Sequence, residues 1–190
     1  MELSNACAGN VFRILERSDA HATSISRVVI AADLGVLTVG HTDGTVTLWR
    51  LDDAVDAVHV LEHTHTDLIS SVDVSAEGSV VCAGSDDGKL SLWNAEDGSL
   101  AGVIPVSTRP LVCVGTSADC WMVCVQARRD KPQLWDTRSR KLVHRLDTGH
   151  ISAVTHVAVT HDGSKVFTVS SDRMVGSRHT PSLLAPVSQA

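Results

Sequence analysis

The sequence predicts an all-β fold assembled from repeated units of four short antiparallel strands, and three observations carry that prediction. Leu48-Trp49, Leu92-Trp93 and Leu134-Trp135 each end a β-like run, with successive Trp 44 and 42 residues apart, a period that means stacked or radial units. The register is wider than Trp. Stepping back 44 from His65, Asp87, Gly88 and Trp93 lands on His21, Asp43, Gly44 and Trp49, and stepping forward 85 from His65, Gly78 and Asp87 lands on His150, Gly163 and Asp172. No helix-period stretch of useful length competes with this reading.

The second copy justifies the elements in order. In Leu68–Val74, Ile69, Val72 and Val74 are apolar and the later half alternates with period two, as a half-buried strand does. Ser75-Ala76-Glu77-Gly78 is a turn cluster, and Val80-Val81-Cys82-Ala83 is an apolar run suited to a central strand. Asp86-Asp87-Gly88 then makes a tight reversal, because Asp tolerates turn geometry and Gly accepts positive φ. Lys89-Leu90-Ser91-Leu92-Trp93 alternates polar and apolar, and Glu96-Asp97-Gly98 turns the chain again. Leu100–Val106 forms the fourth strand, with Pro105 at an edge where a missing donor is tolerated. Four short strands per ~43 residues is the content of a propeller blade.

These residues resemble the WD40 repeat family of β-propellers. The likeness rests on Gly149-His150 opening the fourth copy, Trp135-Asp136 closing the third, and an Asp six residues before Trp in the first and second. It spans about residues 6–178. The resemblance implies repeats at 21–64, 65–106 and 107–149, then a partial repeat at 150–178. It also implies a hydrogen-bonded network joining a loop His, a strand hydroxyl, a turn Asp and the Trp indole. His65, Ser85, Asp87 and Trp93 hold those places in the second copy. The first copy has His21, Asp43 and Trp49 with His41 at the hydroxyl place, the third keeps Trp135 alone, and the fourth has His150, Ser170 and Asp172 without Trp.

The ends depart from the pattern. Asn10–Leu15 resembles Lys141–Leu146, an outer strand, so residues 1–20 are expected to hold an orphan outer strand. The step that should reach a fourth Trp reaches Arg178 instead, and residues 179–190 read as a disordered tail with two Pro. The expected total is about three and a half blades: three complete, two strands of a fourth, and a detached outer strand. A seven-bladed ring needs roughly 300 residues at ~40–45 per blade, so the expectation is an open partial propeller, a fragment of a larger one. An open arc leaves two apolar faces in water, which invites self-association.

Composition narrows the function. Hydrophobic residues make up 43% and charged residues 20%, while two Phe and no Tyr leave a core of Val, Leu, Ile and Ala. The net charge of -6, without a Lys/Arg cluster accompanied by aromatics, argues against a nucleic-acid partner. The N-terminus lacks a basic segment followed by an apolar run, so no secretory signal is read there. The most apolar window, Val28–Val39, is broken by Asp33 and far shorter than the ~20 residues of a membrane helix. Five Cys without a C-x-x-C pair fit a reducing compartment, hence cytoplasm or nucleus.

Candidate chemistry resolves mostly into structure. His63-Thr64-His65 places two imidazoles on one face of a strand but has no second ligand pair, and His65 already has a network role. Cys124 aligns with Cys82 on a central strand; these two, with Cys113 and Cys120, read as core. Ser85, His65 and Asp87 match a catalytic triad in composition only, without a nucleophile elbow, and no Gly-rich phosphate loop occurs. No metal, cofactor or catalytic residue is therefore expected. What remains is a rim. Arg109 precedes the first strand of the third copy, and Arg128, Arg129 and Lys131 lie in its central hairpin, on one propeller face by analogy with the family. Arg forks there suit an acidic peptide. The sequence thus points to a non-catalytic scaffold for protein or peptide partners. The alternatives are part of the regulatory propeller of a multidomain NACHT and WD repeat protein, or a propeller enzyme with a channel active site.

Overall fold

The computed structural model describes residues 2–4, 11–13, 24–31, 35–50, 57–61 and 65–180, and their regular structure is entirely β. Strands β1 (Glu2–Ser4) and β2 (Val11–Arg13) pair with each other. Blade 1 is β3 (Ile25–Ala31), β4 (Val36–His41), β5 (Val46–Arg50) and β6 (Ala57–Leu61). Blade 2 is β7 (Ile69–Val74), β8 (Val80–Ser85), β9 (Lys89–Asn94) and β10 (Leu100–Pro105). Blade 3 is β11 (Leu111–Thr116), β12 (Met122–Ala127), β13 (Gln133–Asp136) and β14 (Lys141–Arg145). Blade 4 is β15 (Val154–Val159), β16 (Lys165–Ser170) and β17 (Val175–His179). Each blade is an antiparallel meander, its first strand innermost: β3 packs on β7, β7 on β11 and β11 on β15.

A bulge recurs at one place in every blade, one residue into the pairing of the first two strands. A bulge leaves ladder groups unpaired. In three blades the extra residue carries a hydroxyl that answers this, as Ser26, Ser70 and Thr155 donate to the carbonyls of Gly40, Gly84 and Val169 at 2.9, 3.1 and 3.2 Å.

The core lies between blades. Val36, Val46, Leu48 and Leu61 on the back of blade 1 meet Ile69, Val72, Val81 and Trp93 on the front of blade 2. Cys82, Leu90, Leu92 and Ile104 meet Leu111, Val114, Val123 and Val125 in the same sense, and Cys124, Leu134 and Leu146 meet Val166. Polar bonds cross these boundaries too. Ser26 Oγ donates to Ile69 O at 2.6 Å, Val114 N–H donates to Ser71 Oγ at 3.1 Å, and the Asp73 carboxylate accepts from Thr116 N–H at 2.9 Å. Burial raises the Asp73 carboxyl above its ordinary value, against the hydrogen bonds from Thr116 and Val74.

Gly44 (φ +86°) and Gly88 (φ +82°) sit where the next blade's leading loop passes over the hairpin. A Cβ on Gly44 would lie 2.8 Å from His65 O, and one on Gly88 would collide with Ser107 O. Both backbone sign and space demand glycine.

Blade 4 corrects the expected two strands to three. Val175–His179 pairs along β16, Arg178 opposite Val166 just as Trp93 lies opposite Val81. Strand pairing draws on main-chain groups, which Val-Gly-Ser-Arg-His supplies without alternation. His179 and Thr180 belong to this ordered region, Thr180 N–H donating to Ser164 O at 2.9 Å; residues 181–190 of the expected tail lie outside the described residues. Of the expected outer strand Asn10–Leu15, Val11–Arg13 forms β2, which pairs with β1 in a two-stranded sheet of its own.

Candidate functional site

Each intact hairpin is built around one Asp. Asp43, Asp87 and Asp172 accept the N–H of Thr45, Lys89 and Met174, two residues on, at 2.9 Å each, which is how a short carboxylate stabilises a turn. Asp87 and Asp172 also reach the next-blade side of the loop. Asp87 accepts from Thr66 N–H at 3.2 Å and from His65 Nδ1 at 3.1 Å; Asp172 accepts from Ile151 N–H at 3.2 Å and from His150 Nδ1 at 2.9 Å. An ionised carboxylate only accepts, so each imidazole carries its proton on Nδ1 and offers Nε2 as an acceptor. Burial lowers the His65 value, against the raising effect of Asp87. Burial alone would raise the Asp87 carboxyl, but the hydrogen bond from Lys89 N–H, His65 and Thr66 N–H outweigh it and hold it below the ordinary range.

The hydroxyl of the expected network is not where Ser85 stands. Ser85 Oγ donates to Asp67 O at 3.0 Å and accepts from Asp87 N–H at 3.2 Å, fastening the hairpin to the leading loop. Ser170 does the same for Asp172 N–H at 3.2 Å. In blade 4 the linking hydroxyl is Thr168, which donates to His150 Nε2 at 2.9 Å. In blade 1 it is Thr47, which lies 3.0 Å from His41 Nε2 and accepts from Trp49 Nε1 at 3.2 Å. Thr168 faces Gly176 across the ladder, whereas Thr47 faces Val39. The hydroxyl has changed strand between directly opposed positions. A Cβ on Gly176 would lie 2.8 Å from Thr168 Oγ1, so the strand opposite yields the space.

Blade 2 has Ala83 and Ser91 at this opposed pair. Trp93 Nε1 and His65 Nε2, a donor and an acceptor, are both buried without a hydrogen-bond partner among the described residues. Their rings meet edge to face, centroids 6.1 Å apart. In blade 3 Gln133 takes over, accepting from Trp135 Nε1 at 3.2 Å and donating to Asp130 at 3.3 Å. His21 and His63 lie outside the described residues.

The rim above this network gathers the expected cations. Val106 and Ser107 N–H donate to Gly88 O at 3.1 Å, which sets the leading loop of blade 3 on the blade 2 hairpin. From that loop Arg109 Nη1 donates to Arg129 O at 2.9 Å. Arg109, Arg128 and Arg129 are all exposed. Lys131 is engaged differently, 3.3 Å from Asp147 in an exposed ion pair. Two residues that sequence reasoning missed stand on the corresponding loops of blade 4, Ile151 at 93% exposure and Met174 at 63%, whose backbone N–H groups both bind Asp172. Their signal was a bare apolar residue directly after Gly-His and another directly after the hairpin.

The thiols sit in the core. Cys82, Cys113, Cys120 and Cys124 are buried, and burial pushes the Cys113 thiol up to about 12. The hydrogen bond with Cys120 first, and burial second, raises Cys82. The Cys82 and Cys113 thiols therefore stay protonated at neutral pH. Among the described residues no group of three or more His, Cys, Asp or Glu stands close enough to hold a metal ion, and no helix is long and apolar enough to cross a membrane.

The family model of the WD domain, G-beta repeat, matches residues 56–94 and 140–175. Each match begins with the outer strand of one blade and runs through the hairpin Asp of the next, so the unit of sequence straddles two units of structure. These two matches support a member of the WD40 repeat family. WD40 domains generally mediate protein–protein interactions. No curated protein matches the chain.

Proposed function

We propose that this WD40 chain is a non-catalytic platform that binds an acidic, partly apolar protein segment on the rim of blades 3 and 4. The observation that carries the reading is the bond from Arg109 to Arg129 O, which supports a cluster of three exposed guanidinium groups on an otherwise acidic chain. Arg forks recognise carboxylates in pairs, and exposed Ile151 and Met174 supply an apolar anchor on the corresponding loops of blade 4. Arg128 also faces Asp86, where burial raises the carboxyl and the Arg128 charge opposes that rise. The rim therefore has a basic centre with an acidic flank, which favours one direction of a bound segment over the other.

The test is capture of acidic peptides bearing one apolar residue, titrated against the 190-residue chain. Binding should weaken steeply with ionic strength, fall at least tenfold in the double variant Arg128→Glu/Arg129→Glu, and fall less in Ile151→Ala. Equal binding by the double variant would remove this rim from the function.

A further inference from the structure

The turn between the first two strands of each blade has a residue in the left-handed region at one recurring place. In blades 1, 2 and 4 it is glycine, Gly35 (φ +59°), Gly78 (φ +67°) and Gly163 (φ +68°); in blade 3 it is Cys120 (φ +58°). The turn is otherwise unchanged, since Gly78, Cys120 and Gly163 N–H donate to the carbonyls of Ser75, Ser117 and Thr160 at 2.8, 2.9 and 2.8 Å. A Cβ makes this backbone costly. The other side chains held at positive φ, those of Arg129, Arg140 and Arg173, belong to exposed residues, whereas Cys120 is 2% exposed. A strained residue that is also buried points to a role for its side chain.

That side chain meets a second thiol. Cys82, on the second strand of blade 2, is 0% exposed and shares with Cys120 one buried cluster between blades 2 and 3, where the two thiols are hydrogen-bonded. The turn is pinned to this spot independently: Asp73, opposite Cys82 in the ladder, accepts from the N–H and the hydroxyl of Thr116 at 2.9 and 3.1 Å. Neither neighbouring boundary has such a pair. The equivalent positions hold Thr38 and Gly78 between blades 1 and 2, and Cys124 and Gly163 between blades 3 and 4. The two thiols also differ in access, because Cys82 lies within a strand while Cys120 is flanked by exposed Asp119 and Trp121.

We infer that Cys82 and Cys120 form a disulfide that fastens blade 2 to blade 3 when the protein meets a peroxide. Hydrogen peroxide oxidises Cys120, the outer thiol, to the sulfenic acid; the O–O bond breaks as one oxygen bonds to sulfur and the other leaves as water. The Cys82 sulfur then displaces the hydroxyl, the S–S bond forms, and the Cys82 proton departs with that hydroxyl as a second water. Two thiols lose two electrons and one peroxide gains them. The new bond closes a loop across the boundary, restricting the unfolded chain and holding the two blades together.

Peroxide-treated full chain, unfolded and alkylated with N-ethylmaleimide, should carry three labels, two of its five cysteines having been joined, and dithiothreitol before alkylation should restore the full set. Tryptic digestion should show segment 51–89, in which Cys82 is the one cysteine, joined to segment 90–128. The second segment also holds Cys113, and two variants separate the candidates. Cys120→Gly places in blade 3 the residue that the other blades have, so circular dichroism should stay as in the parent while the link vanishes; Cys113→Ala should keep the link. The urea midpoint of the oxidised parent should rise by about 1 M over the reduced chain, with no such rise in Cys120→Gly. Full labelling after peroxide, added oxygen on Cys120 with Cys82 still labelled, a link between two chains, or a link that survives in Cys120→Gly overturns the inference.

Discussion

At the scale of single residues, the blades show how one hydrogen-bond role moves between side chains. Thr168, Thr47 and Gln133 all stand between a His, an Asp or an indole, yet Thr168 is on the second strand of its blade while Thr47 and Gln133 share one position on the third. Trp93 has no such partner among the described residues, and a buried indole N–H left unpaired costs about 1–3 kcal/mol. Trp93→Phe removes that N–H along with the ring volume, while Trp49→Phe removes one that is bonded to Thr47. Urea unfolding should show Trp49→Phe to be the more damaging by about 1 kcal/mol; equal losses would mean that Trp93 is bonded in solution. His65 sets a pH dependence. Its folded value lies below the ordinary 6.5, so as pH falls through that value the unfolded chain takes up the proton first and stability drops, until the folded value is reached. Asp87, lowered from 3.8, contributes stability above that pH and loses it as pH falls through its own folded value. The urea midpoint should therefore decline below pH 6.5, and His65→Gln should flatten the upper part of that decline.

At the scale of elements, strands and hairpins were legible because their signals are local. Alternation over five residues and Asp-Gly between apolar runs placed β7 to β10 within a residue or two. The linking hydroxyl was not legible. Stepping by 44 and 85 correctly aligned His41, Ser85 and Ser170 as strand ends, but the functional position is two residues earlier or across the ladder, and cross-strand opposition leaves no mark in linear spacing. The third strand of blade 4 was missed for a related reason: main-chain pairing tolerates Gly176 and Arg178, whereas the expectation waited for Trp. Turn glycine carries the firmest prediction here. Gly88→Ala pays ~1–2 kcal/mol for the left-handed backbone and must also push Ser107 aside, so thermal unfolding should show a loss of more than 2 kcal/mol. Arg173 holds the equivalent turn with φ +68° and stays exposed, so Arg173→Ala should be nearly neutral in the same assay.

At the scale of the molecule, stability runs from blade to blade, as in other repeat proteins where each unit leans on its neighbours. The boundary between blades 3 and 4 has the thinnest apolar filling, Cys124, Leu134, Leu146 and Val166 with a few half-buried neighbours. Gly115 lies on it, and a Cβ there would come within 2.9 Å of Val157 O. Gly115→Val should loosen blade 4 selectively, and limited proteolysis should then cut between residues 146 and 153 before any site in blades 2 or 3. The repeat of blades was legible in the period of the Trp residues, and its departure from the pattern in Arg178.

Arg178 in the place of Trp also decides what can be seen. Trp49, Trp93 and Trp135 stand one to a blade in the first three, Trp121 is on the surface of the third, and blade 4 has none. Intrinsic fluorescence of this protein is thus a gauge of three blades, and the fourth can melt in the dark.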